Sequence, residues 1–178
     1  VSRRGTARVV AGVLVGGLLL GVVCGVLWEW WWTPPAGVAV DGEFVFTSAG
    51  IGEGFSGTGL YVLVTAAGGL ALGTVAALRG DGREVPVLLA LLAASALAGT
   101  VTALVGAALG PPDAATRAAD LDDYAPLVQD LRVEGAAAWL TFPSAALLAA
   151  AVVFLVLTRR RHPEPVRADR AASVARGR

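Results

Sequence analysis

Four stretches of this chain, residues 9–28, 57–78, 85–109 and 135–158, contain no Asp, Glu, Lys, Arg or His. Each is about as long as the ~20 residues that a helix needs to cross the hydrocarbon core of a bilayer. The pattern predicts an all-α membrane protein, an up-down bundle of four transmembrane helices. Between the spans, the turn residues mark where each helix stops. Thr33-Pro34-Pro35 ends the first, because proline lacks a donor and the residue before it avoids the helical region. Asp41-Gly42 sits between two β-prone runs, Val38-Ala39-Val40 and Glu43-Phe44-Val45-Phe46, and predicts a short β-hairpin. An isolated hairpin is marginal in water, so this one is expected to lean on the bilayer or on the other loop of the same side. Residues 49–59 carry five glycines and read as a flexible re-entry into the second span.

The turn at residues 79–84 is short enough to require antiparallel, neighbouring second and third helices. Pro86 suits the first turn of the third helix, and Pro111-Pro112 ends it. Asp113 then caps a short helix over residues 113–124, and residues 127–133 read as extended. From His162 onward the chain is rich in Arg, Ala and Pro without apolar periodicity, which predicts disorder. The organisation is thus a transmembrane domain over residues 1–161 and a disordered basic tail over 162–178.

Small residues recur at four-residue spacing inside the spans: Gly12 and Gly16, then Gly17, Gly21 and Gly25, with Gly69 and Gly73 in the second. The third span has Ala94, Ala98 and Gly99, and the fourth Ala145, Ala146, Ala149 and Ala150. Such faces let helix backbones approach closely in lipid. They predict a tight bundle with Leu and Val turned outward, a homodimer interface being the lesser use.

Composition supports the membrane reading. Of 178 residues 56% are hydrophobic and 16% charged, and the mean hydropathy of +0.69 is too high for an ordinary soluble domain. Neither loop between spans reaches the ~40 residues at which a domain usually folds unaided. The absence of Met at position 1 leads to Val1 being read as a start codon translated literally, hence a full-length chain. The Ala, Gly, Val and Arg usage points to a high-GC bacterium.

Charge supplies the orientation. With a cytoplasmic N-terminus, the inner segments 1–8, 79–84 and 159–178 hold 12 Arg against 4 acids, and the outer segments 2 Arg against 10 acids. The positive-inside rule then places both termini in the cytoplasm of a bacterial cell membrane. Trp28, Trp30, Trp31, Trp32 and Trp139 all fall at the outer ends of spans, as in an aromatic belt. Arg3, Arg4 and Arg8 before an apolar run resemble a signal peptide. The run is longer than the usual ~7–15 residues, however, and ends in Trp where small residues belong, so an uncleaved anchor is expected.

Candidate chemistry is sparse. Ion-coupled transporters keep ionisable groups within their spans, and none lies in these. The hydroxyls there (Thr65, Thr74, Ser95, Thr100, Thr102, Thr141 and Ser144) are expected to bond to carbonyls of their own or a neighbouring helix. A Ser–His pair, two aspartates or a zinc motif inside the membrane is excluded by residue type. One Cys (Cys24) and one His (His162) exclude an internal disulfide and a Cys/His metal site, and no cofactor is expected. Asp120, Asp122 and Asp123 are the one carboxylate cluster, read as a solvated helix face that does not match a calcium loop. Glu29 is placed to pair with Arg132 or Arg117 and staple the two outer loops. Arg159-Arg160-Arg161 should lie against anionic headgroups. No aromatic platform accompanies it, so nucleic acid is not an expected partner.

The layout resembles a group of small actinobacterial four-span membrane proteins of uncharacterised function. The likeness rests on the Arg-rich start, the Gly-rich first span ending in Trp, Asp41-Gly42 after the prolines, and the Gly-rich re-entry from Gly50 to Gly59. It also includes the Arg/Gly turn, Pro111-Pro112, and Trp139 with Pro143 at the fourth span. It implies location and topology, and no catalytic residues. The expected function is that of a non-enzymatic accessory or scaffold protein, partnered by the bilayer and another membrane or envelope protein. A small permease or channel component is the alternative, and an enzyme acting at the outer interface through Glu29 or the Asp cluster the third.

Overall fold

A computed structural model describes residues 3–48, 50, 53–80 and 83–161. The basic tail from His162 onward lies outside the described residues, as do Asp81 and Gly82 of the short turn. The elements are α1 (Arg3–Trp31), β1 (Ala36–Val40), β2 (Glu43–Phe46), α2 (Ser56–Arg79), α3 (Glu84–Leu109), α4 (Ala114–Ala119), β3 (Pro126–Val128), a 3-10 turn (Ala136–Leu140) and α5 (Thr141–Arg161). Four helices, α1, α2, α3 and α5, are long and apolar enough to cross a bilayer. The first extends past the expected span at both ends, because no proline interrupts it between Arg3 and Trp31. The fold is therefore mostly helical, but not all-α: three strands form a sheet in the order β2-β1-β3.

The bundle is inside-out relative to a water-soluble one. Its fully buried positions are mainly small, among them Ala77, Ala94, Ala98, Ala146 and Ala150. Its exposed positions include Val15, Leu19, Val23, Leu63, Leu89, Leu104, Leu148 and Leu155. So large an apolar surface is untenable in water and natural in lipid. The principal interfaces are α1 with α3 and α2 with α5. The short turn does bring α2 and α3 into contact, but theirs is the lesser interface.

Both principal interfaces are made by glycine against backbone. A Cβ placed on Gly17 would lie 3.0 Å from the Ala94 carbonyl oxygen, one on Gly21 2.7 Å from that of Ala98, and one on Gly25 2.9 Å from that of Thr102. Each four-residue step on α1 matches one on α3, so the two helices run parallel in register. Gly69 and Gly73 meet Phe142 and Ala146 of α5 in the same manner. Helices without hydrophobic drive between them gain association from such dispersion contacts.

At one end, here called the cap end, the chain leaves the bundle. Asp41 and Gly42 have φ of 50° and 76°, the two left-handed positions of a tight hairpin turn, with Val40 paired to Glu43. The hairpin rests on the second loop: Gly37 pairs with Leu127 of β3, and Ala39, Ala118 and Leu127 form a small core of their own. The helix expected over 113–124 is cut to Ala114–Ala119. The backbone of Tyr124 and Ala125 is instead taken by Ala39, with Tyr124 N–H donating to its carbonyl at 2.7 Å and Ala39 N–H to Ala125 at 3.0 Å. The opposite end, with Arg8, Arg79 and Arg83, is the arginine end.

Candidate functional site

The junction of bundle and cap is the most elaborated part of the molecule. Trp28 is fully buried and its Nε1–H donates to the Gly57 carbonyl at 2.7 Å. Its ring meets Tyr61 edge-on at 5.2 Å, and the Tyr61 hydroxyl donates to the Gly99 carbonyl at 3.0 Å. Trp139 is tilted against Tyr61, with ring centroids 6.1 Å apart. Glu134 N–H donates to Thr58 Oγ1 at 2.9 Å and ties the second loop to the start of α2. One aromatic knot thereby joins α1, α2, α3 and the segment leading into α5.

The five tryptophans consequently do not form a single belt. Trp28 and Trp32 point inward, at 0% and 8% exposure, whereas Trp30 and Trp31 are 72% and 58% exposed and stack on each other. Trp139 is partly exposed. The physical reason is helical geometry: Trp28 continues the face of Gly17, Gly21 and Gly25, Trp30 falls on the opposite side, and Trp31 lies beside Trp28's face, over the open seam with α2. Tyr61 was not among the expected functional residues, although a lone tyrosine in a charge-free span is itself a signal that a hydroxyl needs a buried partner.

The acidic candidates separate. Asp123 Oδ1 accepts from the backbone N–H of Asp41 at 2.9 Å, so this carboxylate braces the hairpin turn. Asp120 is the C-cap of α4, and Asp122 lies in the following turn with its carbonyl bonded to Ala125 N–H. The three therefore occupy a turn and a helix end, and do not share a helix face as expected. Among the described residues, no three His, Cys, Asp or Glu side chains lie close enough to hold a metal ion. Arg132 pairs with Glu134 at 3.2 Å, the one ion pair among the described residues, so the expected staple from Glu29 to Arg132 or Arg117 is not made. Two residues apart on an extended segment, Arg132 and Glu134 project to the same side, whereas Glu29 sits a helical turn below the loops. Asp113 accepts from both the hydroxyl and the backbone N–H of Thr116, capping α4. These bonds, the hydroxyl's foremost, hold its carboxyl below the usual carboxylate range.

Within the bundle five of the seven hydroxyls named from the sequence are taken by carbonyls. Thr65 donates to Tyr61, Thr74 to Leu70, Ser95 to Leu92 and Thr100 to Ala96. Thr102 donates both to Ala98 at 2.9 Å and across the interface to Gly21 at 3.1 Å. Cys24 is buried, its Sγ 3.8 Å from the Val64 carbonyl. Among the described residues its hydrogen-bond partner is this carbonyl, with no basic side chain bonded to it. Arg159, Arg160 and Arg161 form the last turn of α5, at the arginine end.

The clefts are open ones. At the cap, one of about 320 Å³ is lined by Glu43, Phe44, Gln129, Asp130 and Arg132, and another of about 450 Å³ by Phe55, Thr58, Val62, Glu134 and Thr141. Their polar groups alternate with apolar ones and do not converge on a point, which suits surface contact better than chemistry. No protein family model, curated protein or solved structure matches this chain.

Proposed function

We propose that this chain is a non-enzymatic accessory or scaffold protein of a bacterial cell membrane, with both termini cytoplasmic and the acidic cap outside. The observation that carries the reading is the interior, where glycine and alanine backbones touch and the buried hydroxyls of Tyr61, Thr65, Ser95 and Thr102 are bonded to carbonyls. A permease needs a wet or ionisable path between its helices, and the material for one is missing from these spans. The arginine count on the proposed inner side supports the orientation. The rigid platform beneath the sheet supports the role: the aromatic knot holds the cap on the bundle, and the cap exposes acids to a partner in the envelope.

A photo-crosslinking residue at Tyr124, an exposed position beside the Asp cluster, tests this against one at Leu63 on the outer face of α2. In native membranes a discrete protein adduct is expected from position 124 and lipid adducts from position 63. Lipid adducts from both would overturn the scaffold role. Ion or solute flux through vesicles containing the purified chain, above that of empty vesicles, would replace it with the permease reading. A reporter fused after Arg178 that works only outside the cytoplasm would reverse the orientation.

A further inference from the structure

Glycines four residues apart line α1 on two faces, and only one of the two faces meets protein backbone. A Cβ on Gly12 would have nothing within 4 Å, and one on Gly16 would find only the tip of Leu72 at 3.9 Å. These two glycines hollow out a cleft of about 320 Å³ between α1 and α2, walled by Val9, Val13, Leu72 and Val75 and ending at Arg8 and Arg79. Both arginines are exposed, and neither has a carboxylate partner among the described residues. Arg83 adds to the same field: its guanidinium lies over Gly5, and its Nε is buried without a hydrogen-bond partner. The described acid at this end is Glu84, which forms no ion pair.

We propose that this cleft holds one acyl chain of an anionic glycerophospholipid, whose phosphate sits between Arg8 and Arg79. The claim rests on the helices lying in a bilayer and is independent of the scaffold role. An apolar hollow facing lipid is filled by hydrocarbon, since water finds no polar partners on Val, Leu and Gly walls. From Arg8 to Gly16 the cleft runs about 12 Å along the helix, inside the roughly 15 Å of one leaflet. Its charged end therefore lies at headgroup depth, where basic pockets between helices bind anionic headgroups. The same seam continues toward the cap as a second cleft of about 350 Å³, past Cys24, Leu63 and Ala67 to Trp31, with no charged residue in its lining. That half takes any acyl chain, and selectivity belongs to the arginine end alone.

The test is lipid retained by the full-length chain purified in mild detergent, quantified by mass spectrometry after exchange with phosphatidylglycerol or phosphatidylcholine. Phosphatidylglycerol should be retained preferentially. The Arg8→Gln/Arg79→Gln variant should lose that preference by about fivefold per charge. Gly12→Leu, which fills the hollow without touching the bundle, should lower retention of both lipids at the site and serves if the double variant does not fold. Arg117→Gln, at the cap end, should change nothing. Equal retention of the two lipids, indifference to both cleft variants, or equal stabilisation by inorganic phosphate would each overturn the proposal. So would a change from dimer to monomer in Gly12→Leu, which would assign the cleft to a second copy.

Discussion

The two seams that α1 forms with its neighbours are written in the same residue and closed in opposite ways. Along α3, Gly17, Gly21 and Gly25 disappear under Ala94, Ala98 and Thr102, and Trp28 completes the row over Gly106. Along α2, Gly12 and Gly16 meet almost nothing and leave a hollow with arginines at its rim. The difference lies in the opposite helix. Small residues on α3 match the glycine steps and let backbones touch, whereas α2 presents Leu72 and Val75, whose bulk holds it off. A four-residue glycine spacing thus states that a surface is concave and leaves open what fills it.

Substitutions at equivalent positions of the two seams should separate sharply. The largest effect is expected at the top of the closed seam. Trp28→Ala empties a fully buried site and should cost about 3–5 kcal/mol, against a change within about 0.5 kcal/mol for exposed Trp30→Ala. Thermal unfolding in detergent compares the two, and equal losses would return Trp28 to the belt. Next, Gly21→Leu drives a side chain into the Ala98 carbonyl and should cost about 1–3 kcal/mol or more. Gly12→Leu should stay within about 0.5 kcal/mol, and parity between them would abolish the distinction between seams. Thr102→Val removes the one hydroxyl that bridges α3 to α1 and should cost about 0.6 kcal/mol, measurable by denaturant titration. The smallest effect lies in the cap, outside both seams. The lowered carboxyl of Asp113 contributes stability that is present above the ordinary carboxylate range and is lost as pH falls through its folded-state value. Asp113→Asn should therefore flatten the acid limb of the cap's melting curve and leave the bundle transition in place, which a single fluorescent label at Glu43 in the hairpin and, separately, at Leu63 on α2 would follow.

Much of this was legible in the residues. Four charge-free stretches announce four helices because a bilayer admits no unpaired backbone and few charges. Asp41-Gly42 announces its turn because only such residues accept two left-handed positions in succession. Other features were readable but ambiguous. Trp28 and Trp30 belong to one cluster in the chain, and only the 3.6-residue period, set against the glycine row, separates the buried ring from the exposed one. The helix expected over 113–124 failed for a nonlocal reason, since Tyr124 and Ala125 are taken by a strand more than eighty residues earlier. The same holds for Asp123, whose partner is the Asp41 N–H, and for Arg132, which finds Glu134 beside it before Glu29 below.

What the sequence by itself determined is the elements: apolar length selects four helices long enough to cross a bilayer, prolines follow the ends of α1 and α3, and the Asp-Gly pair sets the hairpin turn. These are local properties, settled by transfer of each segment between water and hydrocarbon and by backbone sterics. What only the tertiary structure decided is the partnership. It paired α1 with α3 and α2 with α5, turned Trp28 inward, joined two loops into one sheet, and left Arg8 and Arg79 at the mouth of a cleft. Those outcomes depend on which surfaces fit at van der Waals distance, and complementarity between distant segments is not a property of either segment alone.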